Sequence, residues 1–317
     1  MSHSLVFVAI GLPVCLTIVV FSATLFVKGA VSLAHRLSVP EFLVGSVIVA
    51  VGTSAPEVAI NVSAALEEAG DIVVSNIVGS NIVNVALGVG IAACIMSFDR
   101  ARSEYIKTAL IGGIGAAFLL AVTVMTGEDG TSTFTRLFGG VLLTGFVGFM
   151  WWSITTAGSG SEEEDYADVA LPLAILFILG GAAAMAFFSD RAVLLAVDLA
   201  GRIGIPEAVI GATIIAAGGS LPEVSSCIAA ARIGRPNLVL GNVAGSQIFN
   251  ILGILGLSGL ITGFTYSTGL WIDVVLLIAL TLILISCIRI AAVRPYMGPI
   301  LVSGYGLYVV YLIAVSL

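Results

Sequence analysis

The sequence predicts an all-α membrane protein with ten transmembrane helices in two inverted five-helix repeats. Three observations predict this fold: an apolar composition, ten apolar stretches of spanning length, and one strong internal repeat. Hydrophobic residues make up 59% of the 317 residues and charged residues only 10%, and the mean hydropathy is +1.17. Soluble domains carry about 25% charged residues. The composition therefore excludes a soluble enzyme, a nucleic-acid binder and a disordered chain.

Apolar stretches follow one another along the chain, and each has about the 20 residues that a helix needs to cross a bilayer. They lie at 5–27, 41–66, 72–97, 105–126, 133–155, 169–188, 207–231, 238–262, 269–290 and 297–316. A shorter mixed segment, 190–203, is interpreted as an interfacial extension of the sixth span. The longest polar segment, 157–168, is acidic and is interpreted as a solvated cytoplasmic linker between repeats at 1–156 and 169–317, with a regulatory cation site as the alternative.

Basic residues in the loops predict the orientation, because cytoplasmic loops carry an excess of Lys and Arg. Nine of the twelve fall on one side of the ten predicted spans and three on the other. The nine are Lys28, Arg36, Arg100, Arg102, Lys107, Arg232, Arg235, Arg289 and Arg294, and the three are Arg136, Arg191 and Arg202. The side with nine is predicted to be cytoplasmic, which places both termini outside.

The internal repeat aligns residues 39–91 with 205–257 without a gap, and 19 of the 53 positions are identical. The matches include polar and conformationally special residues that apolar bias does not explain. They include Pro40/Pro206, Glu41/Glu207, Gly52/Gly218, Ser54/Ser220, Pro56/Pro222, Glu57/Glu223, Asn76/Asn242, Ser80/Ser246 and Asn84/Asn250. Because five spans per half is an odd number, the second copy enters the membrane from the opposite side. Inverted repeats of this kind are typical of secondary transporters.

Glu57 and Glu223 lie near the middle of matched spans, where a carboxylate costs several kcal/mol. Two such residues at equivalent positions indicate function rather than a structural accident. Each follows a glycine-to-proline segment, 52–56 or 218–222, that makes a poor helix interior. Backbone carbonyls freed at this depth must find partners in neighbouring helices, water or a cation. The alternative is a simple proline kink whose hydroxyls bond to the backbone.

The following span of each copy supplies neutral oxygens on one helical face, because residues four apart lie above one another. These are Asn76, Ser80 and Asn84 in the first copy and Asn242, Ser246 and Asn250 in the second. Small Gly79 and Gly245 would let neighbouring helices approach closely. Polar contacts between helices are the alternative role of these side chains, and the same amides could serve both purposes.

The combined donor set consists of oxygen atoms, which favours Ca²⁺ or Na⁺ over Zn²⁺ or Cu²⁺. The chain has two histidines, His3 and His35, and its four cysteines are scattered in apolar stretches. Two carboxylates neutralise one Ca²⁺, and Na⁺ ions or protons could neutralise them equally well. Competition for this pair of charges is a sufficient physical basis for exchange.

The segments GTSAPE at 52–57 and GGSLPE at 218–223, with the paired N-x-x-G-S-x-I-x-N segments, resemble the two alpha repeats of the cation/Ca²⁺ exchanger superfamily. The match is closest to its prokaryotic Na⁺/Ca²⁺ exchanger branch, and it covers 39–91 and 205–257 by motif. The resemblance implies a ten-helix fold in which spans two, three, seven and eight form the ion-binding core. Spans one and six would be long, tilted helices that slide across this core.

The same resemblance implies the function and the setting. The protein would be an antiporter in a prokaryotic inner membrane that exports Ca²⁺ by electrogenic entry of Na⁺. Neither enzymatic activity, a cofactor, nucleic-acid binding nor an obligate protein partner is implied. By motif position, the central ligands would be Glu57, Asn84, Glu223 and Asn250. The flanking Na⁺ positions would be lined by Thr53, Ser54, Ser80, Ser220 and Ser246 with the backbone carbonyls of Ala50 and Ala216.

Two departures from the family pattern bear on coupling. Gly219 stands where the family usually has threonine, which removes a hydroxyl from the second copy. Asn250 stands where K⁺-dependent relatives carry aspartate, which argues against K⁺ co-transport. A cation/H⁺ antiporter is the alternative function, although the G-N-x-x-E pattern of the proton-coupled branch is absent. An ion channel and a membrane-embedded enzyme are weaker alternatives, and the sequence has neither an H-E-x-x-H nor a GxGD-type motif.

Three further acids are interpreted as structural. Glu41 and Glu207 each follow a proline at the start of a span, where the helix dipole favours a negative charge. A cation site in a vestibule is the alternative for this pair. Asp273 opens the ninth span and is interpreted in the same way.

Overall fold

The structure, a computed structural model, describes residues 5–98, 103–156, 169–205, 210, 214 and 216–316. The elements of the first half are α1 (Leu5–Leu37), α2 (Glu41–Thr53), α3 (Ala55–Leu66), α4 (Gly70–Ile95), α5 (Ser103–Thr126), β1 (Thr131–Phe134) and α6 (Arg136–Thr155). Those of the second half are α7 (Leu171–Arg202), α8 (Ala216–Gly218), α9 (Leu221–Arg232), α10 (Pro236–Ile261), β2 (Phe264–Ser267), α11 (Trp271–Arg289) and α12 (Met297–Ser316).

Within these described ranges, eight helices are long and apolar enough to cross a membrane, and the bent pair α2–α3 makes a ninth, broken span. The predicted span at 207–231 falls partly outside the described residues, which include α8 and α9 from it. The count of ten and the division into two inverted repeats therefore stay predictions. The acidic linker 157–168, with Pro206 and Glu207, also lies outside the described residues.

Two helices extend beyond the apolar stretches that predicted them. α1 has 33 residues and continues to Leu37 instead of ending near 27, so Lys28 and Arg36 are helical rather than in a loop. α7 has 32 residues, and its last turns carry the mixed segment that the sequence predicts as an extension of the sixth span. A salt bridge at 2.9 Å between Arg202 and Asp198, one turn apart, supports this polar end. Gly204 then ends the helix with a left-handed φ of +82°.

A small antiparallel sheet corrects the all-α prediction. β1 pairs with β2 in a register that runs from Thr131 opposite Ser267 to Phe134 opposite Phe264, and the rings of this last pair stack at 5.3 Å. The strands have four residues each, so they are too short to give a recognisable period in the sequence. They join the segment before α6 to the segment before α11.

α1 and α7 pack antiparallel along much of their length. Gly11 contacts Leu195 near one end, Phe26 contacts Gly181 further along, and Gly29 lies against the backbone of Ala174 near the other end. Glycine at these positions lets the two helices approach closely. The broken span α2–α3 packs with α4, α9 and α10 into a largely buried cluster that shares one hydrophobic core with α1, and α10 is almost wholly buried.

Candidate cation-binding site

The breaks predicted before the two glutamates are present, and they have nearly the same geometry. Ser54 lies between α2 and α3, which are bent by 53° at this point. Its backbone has φ −87° and ψ 13°, and Ser220 before α9 has φ −89° and ψ 8°. A proline follows in the first helical positions on each side, where its missing donor costs nothing. The chain thus restarts as a helix immediately before each acid.

Glu57 and Glu223 lie in the first turns of α3 and α9, where the positive end of the helix dipole favours a carboxylate. Their exposed fractions are 1% and 0%. The Ser54 hydroxyl donates a hydrogen bond to Oε1 of Glu223 at 2.7 Å, so the two matched segments meet directly. Ser54 lies three residues before Glu57, so this contact brings the segment of one acid onto the carboxylate of the other. Two buried charges of one sign favour a cation between them.

Many oxygen atoms around this pair are buried and make no hydrogen bond to the rest of the described chain. They are both carboxylate oxygens of Glu57, Oε2 of Glu223, Oδ1 of Asn84, Oδ1 of Asn250 and Oγ of Ser246. A buried polar atom without a partner costs about 1–3 kcal/mol, so native structures keep few of them. Together they form an all-oxygen donor set of the kind that hard cations such as Ca²⁺ and Na⁺ prefer.

The other predicted ligands are buried nearby, but several already have local partners. Ser220 donates to the carbonyl of Ser80 at 3.5 Å, a second contact between the two halves. Ser80 in turn donates to Oδ1 of Asn76 at 3.2 Å. Thr53 donates to the carbonyls of Val49 and Ala50 at 3.0 and 3.2 Å. Each of these hydroxyls donates its hydrogen, so its oxygen lone pairs stay available for a cation. Ala216 begins the single turn α8.

Amides that the sequence analysis did not single out also contribute to this region. Asn61 donates to the carbonyl of Glu57 at 2.7 Å, and Asn81 accepts a hydrogen bond from Asn250 at 3.3 Å. Asn242, which was singled out, donates to the carbonyl of Glu223 at 3.4 Å. Asn81 aligns with Gln247 in the repeat, so a comparison by chemical class rather than by identity would have found it.

A cavity of about 590 Å³ reaches this region from the side where α3 ends and α4 begins. Its walls include Pro56, Gly79, Gly219 and Pro222, next to the two breaks. Asp273 lies in the first turn of α11, as predicted, and also lines the cavity, where it forms a hydrogen bond with Tyr308. The cavity therefore extends to the residues of the two breaks.

The opposite side is tightly closed. A Cβ atom on Gly245 would lie 2.2 Å from the carbonyl oxygen of Ser46, whereas a Cβ atom on the matched Gly79 would meet nothing within 4 Å. Glu41 lies in the first turn of α2, as predicted, and it also forms a salt bridge at 3.1 Å with Arg235, with both side chains nearly buried. An arginine at this distance makes a cation site at Glu41 unfavourable. The packing is thus asymmetric between the two copies of the repeat.

Comparison with known proteins identifies the family of the chain. The family model described as sodium/calcium exchanger protein matches residues 7–155 and 173–314. The chain is 34% identical over 260 residues to the inner membrane protein YrbG of Escherichia coli (strain K12), with 79% of each chain covered. It is 30% identical to the sodium/calcium exchanger MaX1 of Methanosarcina acetivorans, with 90% of this chain and 93% of MaX1 covered.

The fold is also similar to a solved structure, that of the sodium-calcium exchanger NCX_Mj soaked with Na⁺ and Sr²⁺. The TM-score is 0.80 at 26% identity, and the match covers 96% of this chain and 98% of NCX_Mj. The family match spans most of the chain and confirms the resemblance that the repeated motifs indicated. The chain therefore belongs to the sodium/calcium exchanger protein family.

Proposed function

We propose that this protein is an antiporter in which Na⁺ entry drives the electrogenic export of Ca²⁺ from the cytoplasm by alternating access. The observation that carries the proposal is the 2.7 Å hydrogen bond from Ser54 to Glu223. This contact joins the segments that carry the two acids, and the buried oxygens without partners on these and the neighbouring helices support a shared cation site. The family membership and the likeness to MaX1 and NCX_Mj support the identity of the ions.

The charges account for obligatory exchange. With both carboxylates ionised and no cation bound, the buried site carries two negative charges, and moving it through a low-dielectric core is costly. One Ca²⁺ neutralises the pair and so do two Na⁺ ions, and a further Na⁺ at a flanking position would make the exchange electrogenic. Only the loaded forms then change their access from one side to the other at a reasonable rate, so one ion crosses outward only when the other crosses inward.

The proposed ligands form two groups, one that contains both carboxylates and one that contains only neutral oxygens. Glu57, Asn84, Glu223 and Asn250 would hold Ca²⁺, since this group combines both carboxylates with neutral amide oxygens. Thr53, Ser54, Ser80, Ser220 and Ser246, with the carbonyls of Ala50 and Ala216, would hold Na⁺ ions at flanking positions. Neutral hydroxyl and carbonyl oxygens suit the lower charge of Na⁺.

The proposed orientation follows from the loop charges, with both termini outside and the linker 157–168 in the cytoplasm, in a prokaryotic inner membrane. The cavity of about 590 Å³ then opens to the outside, and the Glu41–Arg235 salt bridge lies at the cytoplasmic side. Each repeat, 1–156 and 169–317, would contribute one carboxylate to the shared site.

The proposal is tested by ⁴⁵Ca²⁺ uptake into liposomes under separate Na⁺, H⁺ and K⁺ gradients. We expect an outward Na⁺ gradient to drive uptake and a K⁺ gradient to have no effect. Equal uptake with and without the Na⁺ gradient contradicts Na⁺ coupling. Uptake that a pH gradient drives in the absence of Na⁺ would instead indicate a cation/H⁺ antiporter.

Gly219→Thr is expected to change the Na⁺ dependence of transport more than its Ca²⁺ affinity. A Cβ atom at Gly219 meets nothing within 4 Å, so threonine fits and adds a hydroxyl beside the break. One added ligand hydroxyl is worth about 1 kcal/mol, or about fivefold in the Na⁺ concentration at half-maximal rate. Gly180→Thr, on the exposed face of α7 with equally open space, is the matched control. An unchanged Na⁺ response in Gly219→Thr contradicts a role for this position.

Acid is expected to inhibit transport by raising the KM for Ca²⁺. Protons compete for the same two carboxylates, so the apparent affinity for Ca²⁺ falls as the pH is lowered. The measurement is Ca²⁺ flux from about pH 8 to about pH 5 at limiting and saturating Ca²⁺. Saturating Ca²⁺ should restore most of the rate, and a flat profile at limiting Ca²⁺ argues against proton competition.

A further inference from the structure

We propose that Asn81 is a positioning residue that holds the side-chain amide of Asn250 with its oxygen directed at the bound cation. The inference rests on the proposed function, since it assigns a role within the same site. Asn81 belongs to α4 and Asn250 to α10, so each lies in a different copy of the repeat. Both side chains have an exposed fraction of 0%.

The contact between them is direct. Nδ2 of Asn250 donates a hydrogen bond to Oδ1 of Asn81 at 3.3 Å. The other end of the same amide, Oδ1 of Asn250, is buried and makes no hydrogen bond to the described chain. The amide of Asn250 is therefore held at its nitrogen, and its oxygen is left for a ligand.

The chemistry of the side-chain amide explains why the hydrogen bond to Asn81 matters. A carboxamide has two ends of similar size, of which only the oxygen can bind a cation, because the NH₂ group is a donor with no acceptor capacity. Without an acceptor for Nδ2, the group could turn and present its donor to the ion or to a nearby carboxylate. A carboxylate at position 250 would need no such hold, because both of its ends are oxygens.

The matched position in the other copy behaves differently. Gln247 aligns with Asn81, but its Nε2 donates to Thr281 on α11 at 3.0 Å. Asn84, which matches Asn250, has neither amide atom bonded to the described chain. Asn84 and Asn250 are the two amides of the central group, and of these Asn250 is hydrogen-bonded to a second amide, that of Asn81. Asn81 consequently sets an asymmetry between the two halves of the site.

The test is a double-mutant cycle with Asn81→Ala, Asn250→Asp and the double variant, measured as the Ca²⁺ KM and maximal rate of Na⁺-driven flux in liposomes. Asn81→Ala is expected to raise the Ca²⁺ KM about tenfold in the wild-type background and less than about twofold in the Asn250→Asp background. Gln247→Ala, at the matched position, is the control and is expected to leave the Ca²⁺ KM within about twofold.

Melting temperatures with and without Ca²⁺ separate positioning from packing. A KM increase of the same size in both backgrounds, or a lower melting temperature with an unchanged response to Ca²⁺, overturns the inference. If Asn81→Ala does not fold, Asn81→Asp is tested instead, because it keeps an acceptor of the same size. Its Ca²⁺ KM is expected to be no higher than that of the wild type, and a tenfold increase overturns the inference. Wild-type protein without a Ca²⁺ response would overturn the proposed function itself, and this inference with it.

Discussion

Glu57→Gln and Glu223→Gln are each expected to abolish Ca²⁺ transport while the protein still folds. Glutamine has nearly the same shape, so it removes one charge from the site without opening a cavity. The remaining carboxylate cannot neutralise Ca²⁺, and the new NH₂ group is a donor where the ion needs an oxygen. Loss of one partner from a buried charged contact costs about 3–5 kcal/mol, which corresponds to more than about 100-fold in transport at limiting Ca²⁺.

The measurement is ⁴⁵Ca²⁺ flux in liposomes together with thermal unfolding in detergent. Without cations, both variants should melt at or above the wild-type temperature, because removing one of two buried like charges relieves repulsion. Glu67→Gln, an exposed acid in the turn between α3 and α4, is the matched control and should transport normally. Exchange retained in either Glu57→Gln or Glu223→Gln contradicts the proposed site.

Gly245→Ala is expected to lower the free energy of unfolding, whereas the matched Gly79→Ala is not. The added methyl group at Gly245 would lie 2.2 Å from the backbone oxygen of Ser46, and a backbone atom cannot move aside cheaply. Inserting a methyl into a close-packed contact costs about 1–3 kcal/mol and sometimes more. The methyl group at Gly79 projects into the cavity, and alanine also favours a helix by up to about 1 kcal/mol over glycine.

Thermal or denaturant unfolding of the two variants in detergent checks this difference. Because the positions are equivalent in the repeat, sequence context is closely matched and the comparison isolates the packing. Equal losses of stability in the two variants would show that the closed packing around Gly245 and the open space around Gly79 do not describe the protein in solution.

The two helix breaks and the acids beside them were predictable because their signals are local and occur twice. The prolines at positions 56 and 222 predicted the breaks, and the buried acids next to them predicted a cation site at mid-span. The contact of Ser54 with Glu223 is consistent with those expectations. The internal repeat was needed for this prediction, because a single proline with a single acid is also compatible with an ordinary proline kink.

Features that depend on distant partners could not be predicted in the same way. Glu41 was interpreted from its own helix, but its partner Arg235 lies in a turn nearly two hundred residues later. The length of α1 was underestimated because hydropathy marks where a helix leaves the lipid, not where its backbone hydrogen bonds end. Asn81 was missed because its role depends on which side chain faces it across the interface between α4 and α10.

The strand pair β1–β2 has a consequence for motion. β1 comes from the first half of the chain and β2 from the second, and β2 is anchored to the start of α4 through the backbone N–H of Ser267 and the Asp71 carboxylate. The segments that precede α6 and α11 are therefore connected to the start of α4, a helix of the cluster that contains the acids. If the protein works by alternating access as proposed, we expect packed helices to slide between this cluster and the α1–α7 pair.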